Sequence, residues 1–313
     1  MSKIHCIICH SDNVDSSDEH VIPEALGGTY HIYNVCKSCN SKIGTAVDIK
    51  LVDHILMKIC RENNNLTGKT GKLPSFLCEQ IVHPKTDENT KMKFYYDEEQ
   101  NLKLKFITSE QSNLKDDGTG TFSIMVDDSE RNKLDEIINK KRVKLGKKGL
   151  HLNISEPKSH SQKGIEVQGS LSVDLEKFKI GLLKIAYESL CDLCPDYEKD
   201  ADAKEIASIL KNAQYDKVIK YANIGCGFEN IEIFDTLRVL QIDTKNKHLI
   251  YYIFLEQSGL YCFISLFETI FLGIKMSEIN YIGKYCVYAI TNDYKNKKCN
   301  KYRFSPQNGL ELL

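Results

Sequence analysis

Two CxxC pairs, Cys6-x2-Cys9 and Cys36-x2-Cys39, lie near the start of the chain with 26 residues between them. A CxxC turn points two thiolates at one ion, so two such turns complete a tetrahedral four-cysteine site of the kind that holds structural Zn2+. His5 and His10 flank the first pair and are second-choice ligands. In a short segment with little core of its own, such a metal contributes on the order of 10 kcal/mol to folding. The residues between the pairs are ones a purely structural zinc does not need. Glu19-His20 precedes "VIP", Gly27-Gly28 opens a loop, and Asn40 follows the last cysteine directly. A carboxylate and an amide oxygen are hard ligands suited to Mg2+, which keeps waters for a phosphate to replace. A neutral imidazole beside them can take a proton from an attacking water. Singly, Glu19 and Asn40 read as turn or helix caps and His20 as a solvated histidine. Gathered inside one zinc frame, they point to a catalytic centre.

The string "EHVIPEALGG…VCKSCNSKIG", framed by the cysteine pairs, resembles the HNH (His-Me finger) endonucleases with a zinc-bound ββα-metal core. The resemblance runs from Cys6 to Asp48. It implies that His20 is the general base and that Glu19, more often Asp in the family, binds the catalytic metal with Asn40. The middle position falls on His31 or Asn34, and His31 is preferred. The implied activity is Mg2+- or Mn2+-dependent hydrolysis of DNA phosphodiester bonds, leaving 5′-phosphate and 3′-hydroxyl ends, in a setting such as bacterial or phage defence. One such site cuts one strand, so a double-strand break requires a homodimer, two nicks or re-engagement. The rival readings are a non-catalytic zinc module that binds nucleic acid or protein, and an RNA nuclease.

The elements that must position these residues follow from periodicity. Strand, loop, strand and helix fold Glu19, His20 and Asn40 together. Ile43, Val47, Leu51, Ile55 and Ile59 recur at four-residue spacing, which stacks them on one helical face, with a kink or break at Gly44. The helix fails at "RENNNLTGKTGKLPS", which sets a boundary between an HNH domain over 1–70 and an accessory region over 76–313. Strands are predicted in "MKFYYD", "NLKLKFIT" and "TFSIMV", a helix from Ser129 to Leu145, and a strand in "GIEVQGSLSV". Asp174 is placed as N-cap of an amphipathic helix, "LEKFKIGLLKIAYESLC", of which "KFKIGLLKIAYESLC" resembles segments that follow this core in uncharacterised bacterial HNH proteins. A helix in "ADAKEIASILKN" and a strand-rich tail from Lys217 complete an α+β chain.

The core is nearly neutral, with eight Lys and Arg against eight Asp and Glu through Ser75, and the whole chain carries net charge −1. Affinity for DNA phosphates must therefore come partly from elsewhere. The predicted source is Lys140, Lys141, Arg142, Lys144, Lys147 and Lys148, a run that otherwise reads as a solvated helix end. The accessory region is open to DNA recognition, dimerisation, sensing an activating ligand or binding a regulatory protein. The apolar stretch "HLIYYIFLEQSGLYCFISLFETIFLGI" is interrupted by Glu256, Gln257, Ser258, Gly259 and Glu268, so it reads as paired strands and not as a membrane span. Twelve cysteines without a secretory signal suggest a reducing, cytoplasmic setting. The further pair Cys191-x2-Cys194 and Cys226, Cys262, Cys286 and Cys299 read as core packing.

Overall fold

A computed structural model describes residues 2–99, 101–114, 120–146, 153–159, 164–170, 173–222, 224–227 and 242–313. By packing, the chain forms two units, residues 1–74 together with 173–313, and residues 75–172. The chain leaves the first unit after Pro74 and returns to it at Val173.

The first unit begins with two short antiparallel ribbons. β1 (Lys3–Ile4) pairs with β2 (Val14–Asp15), and β3 (Glu19–His20) pairs with β4 (His31–Ile32). Helix α1 (Lys37–Ile43) is capped by Cys36 and carries Cys39 in its first turn, and a π-helical turn over Gly44–Asp48 leads to α2 (Ile49–Val52). Gly44 keeps right-handed helical angles, and the expected irregularity there takes the form of a change from α1 to the π-helical turn that begins at Gly44. The break comes at His54, whose extended backbone separates α2 from α3 (Ile55–Asn63). That break rotates the apolar stripe: Ile43, Val47 and Leu51 are buried, but beyond it Met57 and Cys60 are buried in place of Ile55 and Ile59.

The second unit contains α4 (Phe76–Glu79), the strands β5 (Ile81–Pro84), β6 (Met92–Tyr96), β7 (Leu102–Phe106), β8 (Ser109–Leu114) and β9 (Gly120–Met125), helix α5 (Lys133–Gly146) and β10 (Val167–Gln168). β10-β5-β6-β7 form one sheet, and β8 and β9 form a separate hairpin. Among its described residues only Val82, Pro84 and Met92 are buried. In α5, Lys140 pairs with Glu136 at 2.5 Å. Lys141 pairs with Glu110 at 2.7 Å and lies over the Phe122 ring. Arg142 and Lys144 are exposed, while Lys147 and Lys148 fall outside the described residues.

The chain then re-enters the first unit through α6 (Lys179–Leu193) and α7 (Ala201–Asn212). Strands β11 (Ile224–Gly227), β12 (Lys247–Leu255), β13 (Gly259–Leu266), β14 (Ile270–Ser277), β15 (Val287–Asp293), β16 (Lys298–Ser305) and β17 (Gly309–Leu312) form an antiparallel sheet ordered β11-β14-β13-β12-β15-β16-β17. The expected amphipathic helix differs from α6 in two ways. Asp174 caps a turn by accepting from the amides of Glu176 and Lys177, and the helix itself starts at Lys179. It is also buried on every side from Lys179 to Cys191, because it lies between the N-terminal helices and the sheet. A Cβ at Gly181 would stand 2.6 Å from that of Leu51, which shows how closely α6 approaches α2. One continuous core joins Ile7, Val47 and Leu51 to Leu183 and Ala186 of α6 and to Ile250, Tyr252 and Ile264 of the sheet. Cys191, Cys262 and Cys286 are buried, as core packing requires. Among the described residues no helix is long and apolar enough to cross a membrane.

Candidate active site and its zinc frame

The N-terminal turn and the start of α1 are drawn together by backbone pairing between Ser16 and Cys36 and between the Ile7 amide and the Asn34 carbonyl. The Sγ atoms of Cys6, Cys9, Cys36 and Cys39 then all lie within 4.8 Å of one another. Cys36 caps α1: its sulfur accepts from the Cys39 amide at 3.5 Å, and its own amide donates to Cys6 Sγ at 3.3 Å. Burial raises the Cys6 thiol pKa, and burial followed by the adjacent Cys6 sulfur raises that of Cys39. Burial opposes ionisation at Cys9 too, but hydrogen bonds from Ser11 outweigh it and hold that thiol at about 6. Four crowded sulfurs, part-ionised and met by amide donors, fit a tetrahedral thiophilic cation such as Zn2+.

Strand geometry decides which acid shares a face with His20. Side chains alternate along a strand, so Glu19 and His20 point to opposite sides, and Asp18 points with His20. His31 stands directly across the ribbon in register with His20, and Glu19 stands across from Ile32. The outer face therefore carries Asp18, His20 and His31, with ligand atoms all within 4.8 Å of one another. The two imidazole rings are 4.1 Å apart between centroids, and His31 Nδ1 lies 2.6 Å from Asp18 Oδ1. Burial, followed by the neighbouring His31, lowers the pKa of His20, so its imidazole is neutral at neutral pH.

The expected metal acid, Glu19, is turned inward. Its carboxylate is buried and paired with Lys184 Nζ at 2.6 Å. Asn40 donates from Nδ2 to the Asp18 carbonyl at 3.0 Å and to Ser17 Oγ at 3.2 Å, which fixes the strand carrying Asp18. No hydrogen bond to its Oδ1 is found among the described residues. Asn34, the alternative to His31, has a buried side-chain oxygen with no hydrogen-bond partner among the described residues.

A cleft of about 360 Å3 opens at His20 and His31, walled by Gly27, Gly28 and residues 65–68 and closed by Tyr294 and Lys297. The two glycines are a steric requirement. Gly27 has φ +80°, in the left-handed region, and a Cβ at Gly28 would fall 1.8 Å from the Ile22 carbonyl oxygen.

Sequence reasoning missed the residues that brace this cleft from the C-terminal part of the unit. Lys184 of α6 is fully buried, and its ammonium donates to the carbonyls of His20 at 2.5 Å and Val21 at 3.3 Å. Besides Glu19 it meets Glu188 at 3.2 Å and Asp48 at 3.4 Å. Burial raises the pKa of each of these three carboxyls. Lys184 stays charged, since the three acids outweigh the desolvation that opposes its charge. From the sheet, Asn292 accepts from the Thr29 amide at 2.7 Å and donates to the Gly27 carbonyl at 2.9 Å. His248, also buried, donates from Nε2 to the Leu26 carbonyl at 2.8 Å, and its Nδ1 accepts from the Phe267 amide at 3.2 Å. The only advance signal for Lys184 was a lysine amid the apolar run "KIGLLKIAY"; Asn292 and His248 gave none.

Residues 6–56 match the family model of the HNH endonucleases. No curated protein and no solved structure matches the chain significantly.

Proposed function

We propose, from this family match and the geometry of the β3–β4 ribbon, that the protein is a metal-dependent endonuclease hydrolysing DNA phosphodiester bonds. The observation that carries the reading is the alignment of Asp18, His20 and His31 on one face, at the mouth of a cleft and inside a four-cysteine frame. His20, neutral because it is partly buried beside His31, takes the proton from a water as that water attacks phosphorus in line. The bond to the 3′-oxygen breaks, leaving 5′-phosphate and 3′-hydroxyl ends. Asp18 anchors His31 through Nδ1, and Asn40 anchors Asp18 through its carbonyl, so the three side chains are held before substrate arrives. Asp18 and His31, with the Oδ1 of Asn40, are the donors for a divalent cation. Carboxylate and amide oxygens accept Mg2+, and the imidazole of His31 favours Mn2+. When bound, that cation supplies charge stabilisation for the phosphoryl group in the transition state.

The test is cleavage of supercoiled plasmid with Mg2+, Mn2+ or EDTA. His20→Ala removes the base and no zinc ligand, so zinc content and folding should survive while the rate falls roughly 10²–10⁴-fold. Asp18→Asn should lose activity in Mg2+ and regain part of it at high Mn2+, whereas Glu19→Gln should act through stability. Equal cleavage by wild type and His20→Ala would refute the assignment.

A further inference from the structure

The zinc-framed core holds as many acids as bases through Ser75, yet a nuclease must grip a polyanion. The sheet offers what the core lacks. From Tyr294 to Leu310 the chain has no acid and five cations, Lys295, Lys297, Lys298, Lys301 and Arg303. This stretch is the β15–β16 turn and strand β16 itself. Lys297 closes the cleft that contains His20 and His31. A second groove of about 550 Å3 shares Thr29 and His31 with that cleft and is lined on its far side by Lys301. The two grooves therefore form one path past the catalytic face, with β16 lysines along it.

In the α5 run Lys140 and Lys141 are ion-paired, while Arg142 and Lys144 are exposed. Lys295, Lys297 and Lys298 are exposed, and among the described residues none is ion-paired. Lys301 is the exception, held against Asp192 at 2.5 Å and over the Tyr30 ring. Glu24, the one acid lining the cleft, lies 3.6 Å from Lys69. The turn is also pre-organised. Asp293 accepts from the amides of Lys295 at 3.0 Å and Asn296 at 2.7 Å, and the adjacent Asn292 bonds the turn to the glycine loop of the catalytic ribbon. A rigid, unpaired cationic turn tied by hydrogen bonds to the catalytic loop binds phosphates at little ordering cost.

We propose that the β15–β16 turn is the clamp for the DNA backbone, with Lys295, Lys297 and Lys298 contacting phosphates that flank the one cut at His20. This rests on the nuclease reading above. Its test separates the two. Binding of a fluorescent DNA duplex to the full-length His20→Ala protein is measured against KCl concentration, in EDTA. Substituting Lys295, Lys297 and Lys298 together by Glu should weaken binding at low salt by at least about 10-fold and reduce the salt slope by about 2–3, since each phosphate contact contributes about 0.9. The same three positions changed to Gln should reduce the slope equally, with melting temperature and zinc content unchanged. Arg142→Glu with Lys144→Glu on α5 should leave the slope unaltered. If plasmid is cut by the wild type but the lysine variants keep the parent slope, the clamp is wrong and the nuclease stands. A slope lost only in the α5 variant would likewise overturn the clamp. If the wild type neither cuts nor binds DNA, or binds RNA alone, both readings fall.

Discussion

Lys184→Met is the perturbation that best tests how the catalytic ribbon is held. In the native protein one fully buried ammonium meets the carboxylates of Glu19, Glu188 and Asp48 and the carbonyls of His20 and Val21. Methionine fills similar volume but leaves three acids with no cation and two carbonyls with no donor. Removing one partner from a buried ionic cluster costs about 3–5 kcal/mol. At roughly 2–4 °C per kcal/mol for a unit of this size, the melting temperature should fall by about 6–20 °C at pH 7.5. The pH dependence gives the mechanism. Burial places the folded-state pKa of all three carboxyls above the unfolded value, so the fold does not suffer while they are protonated, near or below about pH 4. The penalty grows as pH rises through their folded pKa values, and only the lysine offsets it. The gap between wild type and Lys184→Met should therefore be widest above pH 7 and narrow towards pH 4.5. Adding Glu188→Leu to Lys184→Met should recover part of the loss by removing one unpaired acid. Thermal unfolding followed by circular dichroism at both pH values decides it. A gap of less than about 2 °C, or one equal at both pH values, would refute the argument.

Elemental analysis should find about one Zn2+ per chain bound by the four clustered cysteines, and Cys36→Ser should lose it along with the melting transition of the first unit. Gly28→Ala drives a methyl group into the Ile22 carbonyl and should cost about 1–3 kcal/mol and most cleavage activity. Gly44→Ala, with nothing within 4 Å of the added carbon, should be neutral or stabilising in the same melting assay. His248 is held neutral by burial, with its pKa lowered to about 4 from 6.5. Its contribution is complete above pH 6.5 and is lost as pH falls through 4, about 3 kcal/mol in all, so the melting temperature of His248→Gln should fall less steeply over that interval than that of wild type.

The zinc frame was legible because its signal is local: each CxxC is one turn, and a second pair is needed to finish the tetrahedron. The same holds for α7 and for β12 to β14, whose apolar runs are divided by the turn residues at 256–259 and at Glu268. The proposed site takes Asp18 in place of the expected Glu19 for an equally local reason. Adjacency in sequence made Glu19 the natural partner of His20, but a two-residue strand sends neighbours to opposite faces, and Asp18 shares the face. Period-two reading of "SDEH" would have found it. What sequence could not show was non-local. α6 reads as amphipathic because it carries Lys179, Lys184 and Glu188; all three are buried because the helix lies between the N-terminal helices and the sheet. Nothing in "SEQSNL" marks a strand, since β8 is a polar run ordered by pairing with β9.

The zinc-framed segment is thus not a portable module in this protein. Four clustered cysteines bring its first and last turns together, but the ribbon between them is held from outside the segment. Lys184 holds the carbonyls of His20 and Val21, His248 holds that of Leu26, and Asn292 holds Gly27 and Thr29. These three residues come from one helix and two strands of a single core. A general base must stay within hydrogen-bond reach of the water it deprotonates. The loop closes its own short turn through the amides of Leu26, Gly27 and Gly28, and the sheet adds bonds to Leu26, Gly27 and Thr29. Asn292 is also the residue from which the lysine turn departs, so the strand that fixes the catalytic loop also presents the cations. If the lysine turn grips DNA as proposed, a substitution in β15 that shifts Asn292 should disturb both the cleft wall at Gly27 and Thr29 and Lys297.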